Sequence, residues 1–329
     1  MGICARLSQS SDRHMGFDDQ RTQGIHLWLL LFMAQSGCAS AEEPQTTRET
    51  TSNPSGVVDV VKLDDEELRE SSGLALSTRE PGHFWTHNDS GSKARLYAFD
   101  SRGRRTAKRK LSSTAANDWE DMCGFVLGGQ PYLLVADCGD NSRGRDSISL
   151  YLMEEPDPHG SEAIKNVKVI KVRYPDGSHD CEAVAVDPVR RQIVLVTKTF
   201  LPNCGIYVIP LPDCEELPSR REVIAQRVGG LPIPMVTAMD IDPISGDVWL
   251  VSYFQAFQFK ADKRNVDLAR QMKELPVAHE LPRWRQIEAV AIDSQQDVWV
   301  TSEGKPAPLG RLPQGKEDAN ATPTPSRPR

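Results

Sequence analysis

Asp180-Cys181-Glu182-Ala183-Val184-Ala185-Val186-Asp187-Pro188 has a near copy in Gln286-Ile287-Glu288-Ala289-Val290-Ala291-Ile292-Asp293. A third copy is Met235-Val236-Thr237-Ala238-Met239-Asp240-Ile241-Asp242-Pro243. Two looser ones are Glu70-Ser71-Ser72-Gly73-Leu74-Ala75-Leu76 and Asp118-Trp119-Glu120-Asp121-Met122. Each joins an oxygen-bearing residue to a short run of small and apolar residues. Alignment places Ser72, Glu120, Glu182, Thr237 and Glu288 at one position, with steps of 48, 62, 55 and 51 residues. Self-similarity at such a period marks a repeated supersecondary unit.

The segments between the copies are short β-type runs bounded by Asp, Gly and Pro turns, with no long 3.6-residue period. Phe125-Val126-Leu127, for example, turns at Gly128-Gly129-Gln130-Pro131 into Tyr132-Leu133-Leu134-Val135-Ala136. Leu268 to Leu275 is the one helix candidate. Four strands in each of five units predict an all-β fold, a five-bladed β-propeller. The 62-residue step leaves room for a six-bladed alternative. The last unit lacks an outermost strand, while Val57-Val58-Asp59-Val60-Val61 precedes the first unit without a partner. This N-terminal strand is therefore expected to complete the last blade and leave no open edge.

The 329 residues carry a net charge of -7, which disfavours a general nucleic-acid partner. Ile25 to Ala34 is a ten-residue apolar run, too short to span a bilayer but of signal-peptide length. Ala39-Ser40-Ala41 fits the small-x-small cleavage rule. Residues 1–41 are thus expected to be a signal peptide, 42–55 a disordered polar linker, 56–312 the propeller and 313–329 a disordered Pro-rich tail. Gly37-Cys38 also fits the end of a lipoprotein box, so Cys38 is a candidate lipid anchor. Export, whether to a periplasm, a cell surface or the medium, permits disulfides among Cys123, Cys138, Cys181, Cys204 and Cys214; the odd count leaves one thiol over. No Cys-x-x-Cys pair and no Cys/His cluster with zinc spacing is present, which argues against a zinc site.

In a propeller the innermost strands line the central channel. Glu120, Glu182 and Glu288 are then expected to converge from three blades, with Ser72 and Thr237 filling the other two. Three converging carboxylates need protons or a cation between them. An all-oxygen set suits Ca2+. The ends of the antiparallel second strands fall at the same face. They contribute Asn88, Asp89, Asp137, Asp140, Asn141, Lys198 and Glu303 to an acidic mouth, a candidate binding site for a small molecule or protein. Asp89, Asp140 and His87 are the candidate catalytic groups if the mouth hydrolyses phosphate or other esters beside the metal.

The order hydroxyl, Glu, Glu, hydroxyl, Glu at Ser72, Glu120, Glu182, Thr237 and Glu288 resembles the central calcium ring of the calcium-activated nucleotidase (apyrase) family. Asn88-Asp89-Ser90-Gly91 falls where that family has an Asp-Asp-x-x-Gly run. That resemblance implies a five-bladed propeller with a central calcium and nucleotide hydrolysis. Gly73 departs from it, because that family follows its first serine with Glu. Glu70-x-Ser72-Gly73-Leu74 followed by Asp118-x-Glu120 is also similar to the SdiA-regulated family of exported bacterial propellers. The primary expectation is an exported calcium-binding propeller that binds a ligand or partner at its mouth. A calcium-dependent, nucleotidase-like hydrolase is the alternative.

Overall fold

The computed structural model describes residues 57–262 and 267–313. Strand β1 (Val58–Leu63) opens the chain. Blade 1 comprises β2 (Ser71–Leu76), β3 (His83–Asn88), β4 (Arg95–Asp100) and β5 (Arg105–Lys110). Blade 2 comprises β6 (Trp119–Leu127), β7 (Gln130–Asp137), β8 (Ile148–Glu154) and β9 (Lys168–Arg173). Blade 3 follows with β10 (Cys181–Asp187), β11 (Gln192–Thr197) and β12 (Cys204–Pro210). The chain then makes β13 (Arg220–Ile224) before β14 (Gln226–Leu231), the outer strand of blade 3. Blade 4 holds β15 (Val236–Ile241), β16 (Val248–Ser252), β17 (Gln255–Phe259) and, after the single turn of α1 (Leu268–Gln271), β18 (Val277–Glu280). Blade 5 holds β19 (Ile287–Ile292), β20 (Val298–Ser302) and β21 (Ala307–Arg311).

The ring has five blades, and β1 closes it. It pairs antiparallel with β21, setting Val61 against Leu309 and Leu63 against Ala307. Asp59 on β1 also accepts from the Arg311 guanidinium at 2.6 and 3.0 Å. The long step from Glu120 to Glu182 holds no sixth blade; it is taken up by residues 138–147 and 155–167, which link the strands of blade 2. Two details depart from the sequence reading. Residues 222–228 read as a single β-type run but divide between two blades, since β13 pairs parallel with β9 of blade 2. Blade 5 also has a third strand of its own, β21, which pairs with both β20 and β1. The helix candidate shrinks to the four residues of α1, capped by Asp267, whose carboxylate accepts from the Arg270 amide at 2.8 Å.

The core is five seams, not one centre. Separate hydrophobic clusters lie between blades 1 and 2, 2 and 3, 3 and 4, 4 and 5, and 5 and 1. An inner strand is therefore covered on both faces, and all seven residues of β10 are buried. This is why the inner strands read as continuous small and apolar runs rather than as alternations. The hairpin between β6 and β7 has Gly128 and Gly129 at φ 60° and 82°, the left-handed conformations that a tight twisted hairpin requires. Cys123, Cys138, Cys181, Cys204 and Cys214 are all buried free thiols. Among the described residues no helix is long and apolar enough to cross a membrane. The expected signal peptide, the linker, the candidate anchor Cys38 and all but the first residue of the tail lie outside the described residues.

Candidate functional site at the channel mouth

The five aligned residues share one local geometry. Ser72, Glu120, Glu182, Thr237 and Glu288 are each the second residue of an inner strand. In every blade the register slips at that residue, between Ser71 and Gly73, Trp119 and Asp121, Cys181 and Ala183, Val236 and Ala238, and Ile287 and Ala289. The ring residue is thus the extra residue of a β-bulge, a device that re-aims a side chain. All five are buried. The repeated motif in the sequence is the repeated bulge.

A second fivefold pattern lies just outside it. The backbone N–H of Asp89 donates to the Glu70 carbonyl, Gly139 to Asp118, Lys198 to Asp180, Tyr253 to Met235 and Glu303 to Gln286, at 2.9 to 3.2 Å. Each donor follows the end of a second strand, and each acceptor stands two residues before the ring residue. Asp89, Gly139, Lys198, Tyr253 and Glu303 therefore form an outer ring. The full equivalence of the five appears only in the hydrogen bonds, since their residue types do not repeat.

The two rings are not symmetric in charge. Lys198 Nζ donates to both Glu182 carboxylate oxygens at 2.5 and 2.6 Å and to the Tyr253 hydroxyl at 3.2 Å. Glu182 and Tyr253 hold that ammonium charged despite burial. Tyr253 in turn reaches Glu288 Oε1 at 3.4 Å, and the Gln286 amide donates to both Glu288 and Glu303 at 3.1 Å. Glu288 Oε2 is buried with no partner. Burial, with Glu303 and Asp89 nearby, pushes the Glu288 carboxyl up to about 7.

The carboxyl oxygens of Asp89, Asp118 and Glu120 lie within 4.8 Å of one another. Burial raises all three; Asp118 reaches about 6, with the Asp89 charge as the next cause. Glu120 is raised furthest, by burial and then by Glu182, Asp89 and Asp118. The Glu120 and Asp118 carboxylates pack directly against Gly139, in the space that a Cβ there would need. The glycine of the outer ring is what lets this cluster sit so close to the backbone.

The remaining predicted residues build the walls. The Ser72 hydroxyl donates to the Glu120 carbonyl and the Thr237 hydroxyl to the Ile287 carbonyl, both at 3.0 Å, so each ties its inner strand to the next. Asp137 accepts from the Asn117 and Asp118 amides, from Arg145 and from Tyr151, and Asp140 from the Gly144 and Arg145 amides. Asn88 accepts from the Arg69 and Glu70 amides and donates to the Glu67 carbonyl. These three are loop clamps. Asn141 is exposed and Glu303 half-buried at the rim. His87 does not reach the mouth. It is fully buried, packs edge-on against Trp119, and burial drives its pKa down to about 4. Its ring fills the space a Cβ on Gly73 would need, which accounts for glycine after the first ring serine.

Three residues that lie in the repeat copies but outside the expected site are central. Asp118 completes the acidic cluster. Asp121, fully buried beside Glu120, accepts from the Val184, Met239 and Met122 amides, tying the inner strands of blades 2, 3 and 4. Asp240 does the same for blades 4 and 5 through the Ile241 and Ile292 amides. A cleft of about 310 Å³ beside the mouth is lined by Tyr253, Phe254, Arg283, Trp284 and Gln286, among others.

The sequence matches no protein-family profile, and comparison with curated proteins finds no match. Among solved structures the chain is similar to the PQQ-bound aldose sugar dehydrogenase of Streptomyces coelicolor, at 12% identity and TM-score 0.42, over 78% of this chain and 97% of that one. It is similar to a gluconolactonase of Xanthomonas campestris, at 11% and 0.43, over 77% and 89%. The apo-form of the soluble aldose sugar dehydrogenase of Escherichia coli matches at 10% and 0.43, over 77% and 98%. At such identities the likeness extends no activity to this chain.

Proposed function

We propose that this chain is an exported β-propeller that binds Ca2+ at the mouth of its channel and uses that mouth to hold a ligand or partner. The observation that carries the reading is the Asp89, Asp118 and Glu120 cluster, whose carboxyl oxygens lie within 4.8 Å of one another and, among the described residues, form no ion pair. Lys198 already neutralises Glu182. Glu288 is uncompensated as well, but the carboxylates set closely together are those on the Asp118 side, and oxygen-only ligands there suit calcium. In this reading Asp89, Asp118 and Glu120 hold the ion, and Glu182 and Glu288 lie behind it. Export follows from the short apolar run and small residues before 42. Large exposed apolar side chains on the loops after the second strands of blades 3 and 4, Phe200, Leu201 and Phe254, supply a rim for a partner.

Binding is favoured over hydrolysis by the fate of the candidate catalytic groups. His87 is sealed in the core and Asp140 is spent on its loop, while Asp89 is assigned here to the ion. The test is calcium titration of the chelator-stripped mature chain by calorimetry and thermal melting. One calcium per chain, lost in Glu120→Gln and in Asp118→Asn, is the expected result. No binding, or binding that both variants retain, overturns the assignment. Calcium-dependent turnover of nucleotides or model esters would move the protein to the hydrolase class.

A further inference from the structure

The opposite end of blade 1 carries a second cluster. Glu80, His83 and His159 bring one ligand atom each to within 4.8 Å of the others. β3 starts at His83 and ends at the mouth with Asn88, so the cluster lies about 17 Å away at 3.4 Å per residue. His159 comes from blade 2, 79 residues after Glu80. No local spacing could have marked this group, and the missing zinc spacing in the sequence speaks only of local sites.

Both halves are fixed by bonds that do not involve the three side chains. In the β2–β3 turn the Ser77 amide donates to the His83 carbonyl at 2.9 Å, the Glu80 amide to the Ser77 hydroxyl at 2.9 Å, and the His83 amide to the Glu80 carbonyl at 3.3 Å. Glu155 of blade 2 accepts from the Thr78 and Arg79 amides and from Trp85 at 3.0 Å. The loop bearing His159 is folded on Asp157 and held to β5 by Arg109, which donates to the Asp157 and Glu162 carbonyls at 2.6 and 3.1 Å. The seam between blades 1 and 2 thus presents three side chains on prepared backbone.

Within it, His159 Nε2 lies 3.0 Å from both Glu80 oxygens. His83 is only 9% exposed, and its Nδ1 is buried without any hydrogen-bond partner, 3.6 Å from Glu80 Oε1. A buried imidazole nitrogen without a partner calls for an explanation. The two rings meet edge to face at 4.8 Å. In a tetrahedral zinc centre with bonds near 2.0–2.1 Å, ligand atoms stand about 3.3 Å apart, in the middle of these separations.

We propose that Glu80, His83 and His159 form a site for a divalent transition-metal ion of the zinc class, binding across the seam between blades 1 and 2. Two imidazoles and one carboxylate suit zinc and not calcium, which takes oxygen ligands. Three protein ligands leave a fourth position, and the His159 side chain, 52% exposed, sets it towards solvent. The site is distinct in chemistry and place from the mouth.

The test uses the mature chain, stripped with chelator and then saturated with Ca2+, titrated with Zn2+ by calorimetry; Co2+ is added in parallel to read the visible band of a tetrahedral centre. One zinc per chain is expected, weakened by more than about ten-fold in His159→Ala and in Glu80→Gln and unchanged in Glu120→Gln. His159→Ala changes an exposed loop and spares the core, so folding is not at stake. Zinc binding that is absent, or that survives His159→Ala, overturns the proposal and leaves an ordinary His–Glu ion pair. Loss of zinc only in Glu120→Gln would place the metal at the mouth and overturn it too.

Discussion

Glu288→Gln separates the electrostatic account of the mouth from a purely structural one. Glu288 is buried, one carboxylate oxygen has no partner, and its pKa stands at about 7 because of burial, with Glu303 and Asp89 adding to it. Its ordinary value is 4.5. Between those two values the folded chain keeps the proton and the unfolded chain has lost it. The folded state then binds more protons, so stability falls as pH rises through the window from about 4.5 to 7. At 1.36 kcal/mol per unit, the full shift costs the ion-free protein about 3 kcal/mol at pH 8 and a little under 1 kcal/mol near pH 5. Glutamine keeps the shape and removes the charge. With chelator present, Glu288→Gln should therefore melt roughly 5–10 °C above the parent at pH 8 and close to it at pH 5. Saturating Ca2+ should shrink the gain at pH 8, since a dication supplies the counter-charge the carboxylate lacks. Thermal melts of parent and variant at both pH values, with and without the ion, measure all four terms. A variant less stable than the parent at pH 8 in chelator, or a difference that ignores pH, refutes the reasoning.

Other outcomes follow from the same geometry. Asp121→Ala orphans three buried amides from three blades and should cost about 3 kcal/mol or more, read as a drop in denaturant midpoint, with Asp121→Asn milder. Removing residues 57–63 strips the closing strand from β21 and exposes an edge, so the truncated chain should unfold or self-associate in light scattering at concentrations where the parent is monodisperse. Gly73→Ala drives a methyl into the His87 ring and should cost about 1–3 kcal/mol, and the same substitution in a His87→Ala background should cost much less.

The fold was legible because its repeat is chemical as well as geometric. Each inner strand must be small and apolar on both faces to pass between two seams, and each begins with the same bulge, so Glu182 and Glu288 sit in nearly identical words. The β1 closure was legible by elimination, from one strand too many at the start and one too few at the end. The division of 222–228 was not, since a parallel β13–β9 pair depends on a neighbouring blade that local patterning cannot see. The mouth was legible where side chains repeat and, from strand ends alone, at Asp89, Lys198 and Glu303, but not at Gly139 or Tyr253. The outer ring of Asp89, Gly139, Lys198, Tyr253 and Glu303 is defined by backbone amides, which any residue supplies, so evolution was free to write a different side chain at each position. That freedom is what makes the site polar in one direction. A five-fold ring with one lysine, one tyrosine and one glycine has lost its symmetry, so Glu182 is bonded to Lys198 while Glu120 is left beside Asp118 and Asp89. A cation that enters therefore meets a preferred side of the channel. In the proposed site the ion would lie off the axis, between blades 1 and 2, with Lys198 as a positive neighbour shared by Asp89, Glu120 and Glu288. Exchanging the ends of that dipole tests the point: Lys198→Met should release Glu182 as a competing ligand, shift calcium towards the axis and weaken the loss caused by Glu120→Gln. If Glu120→Gln abolishes calcium binding equally in both backgrounds, the asymmetry belongs to the side chains alone and does not steer the ion.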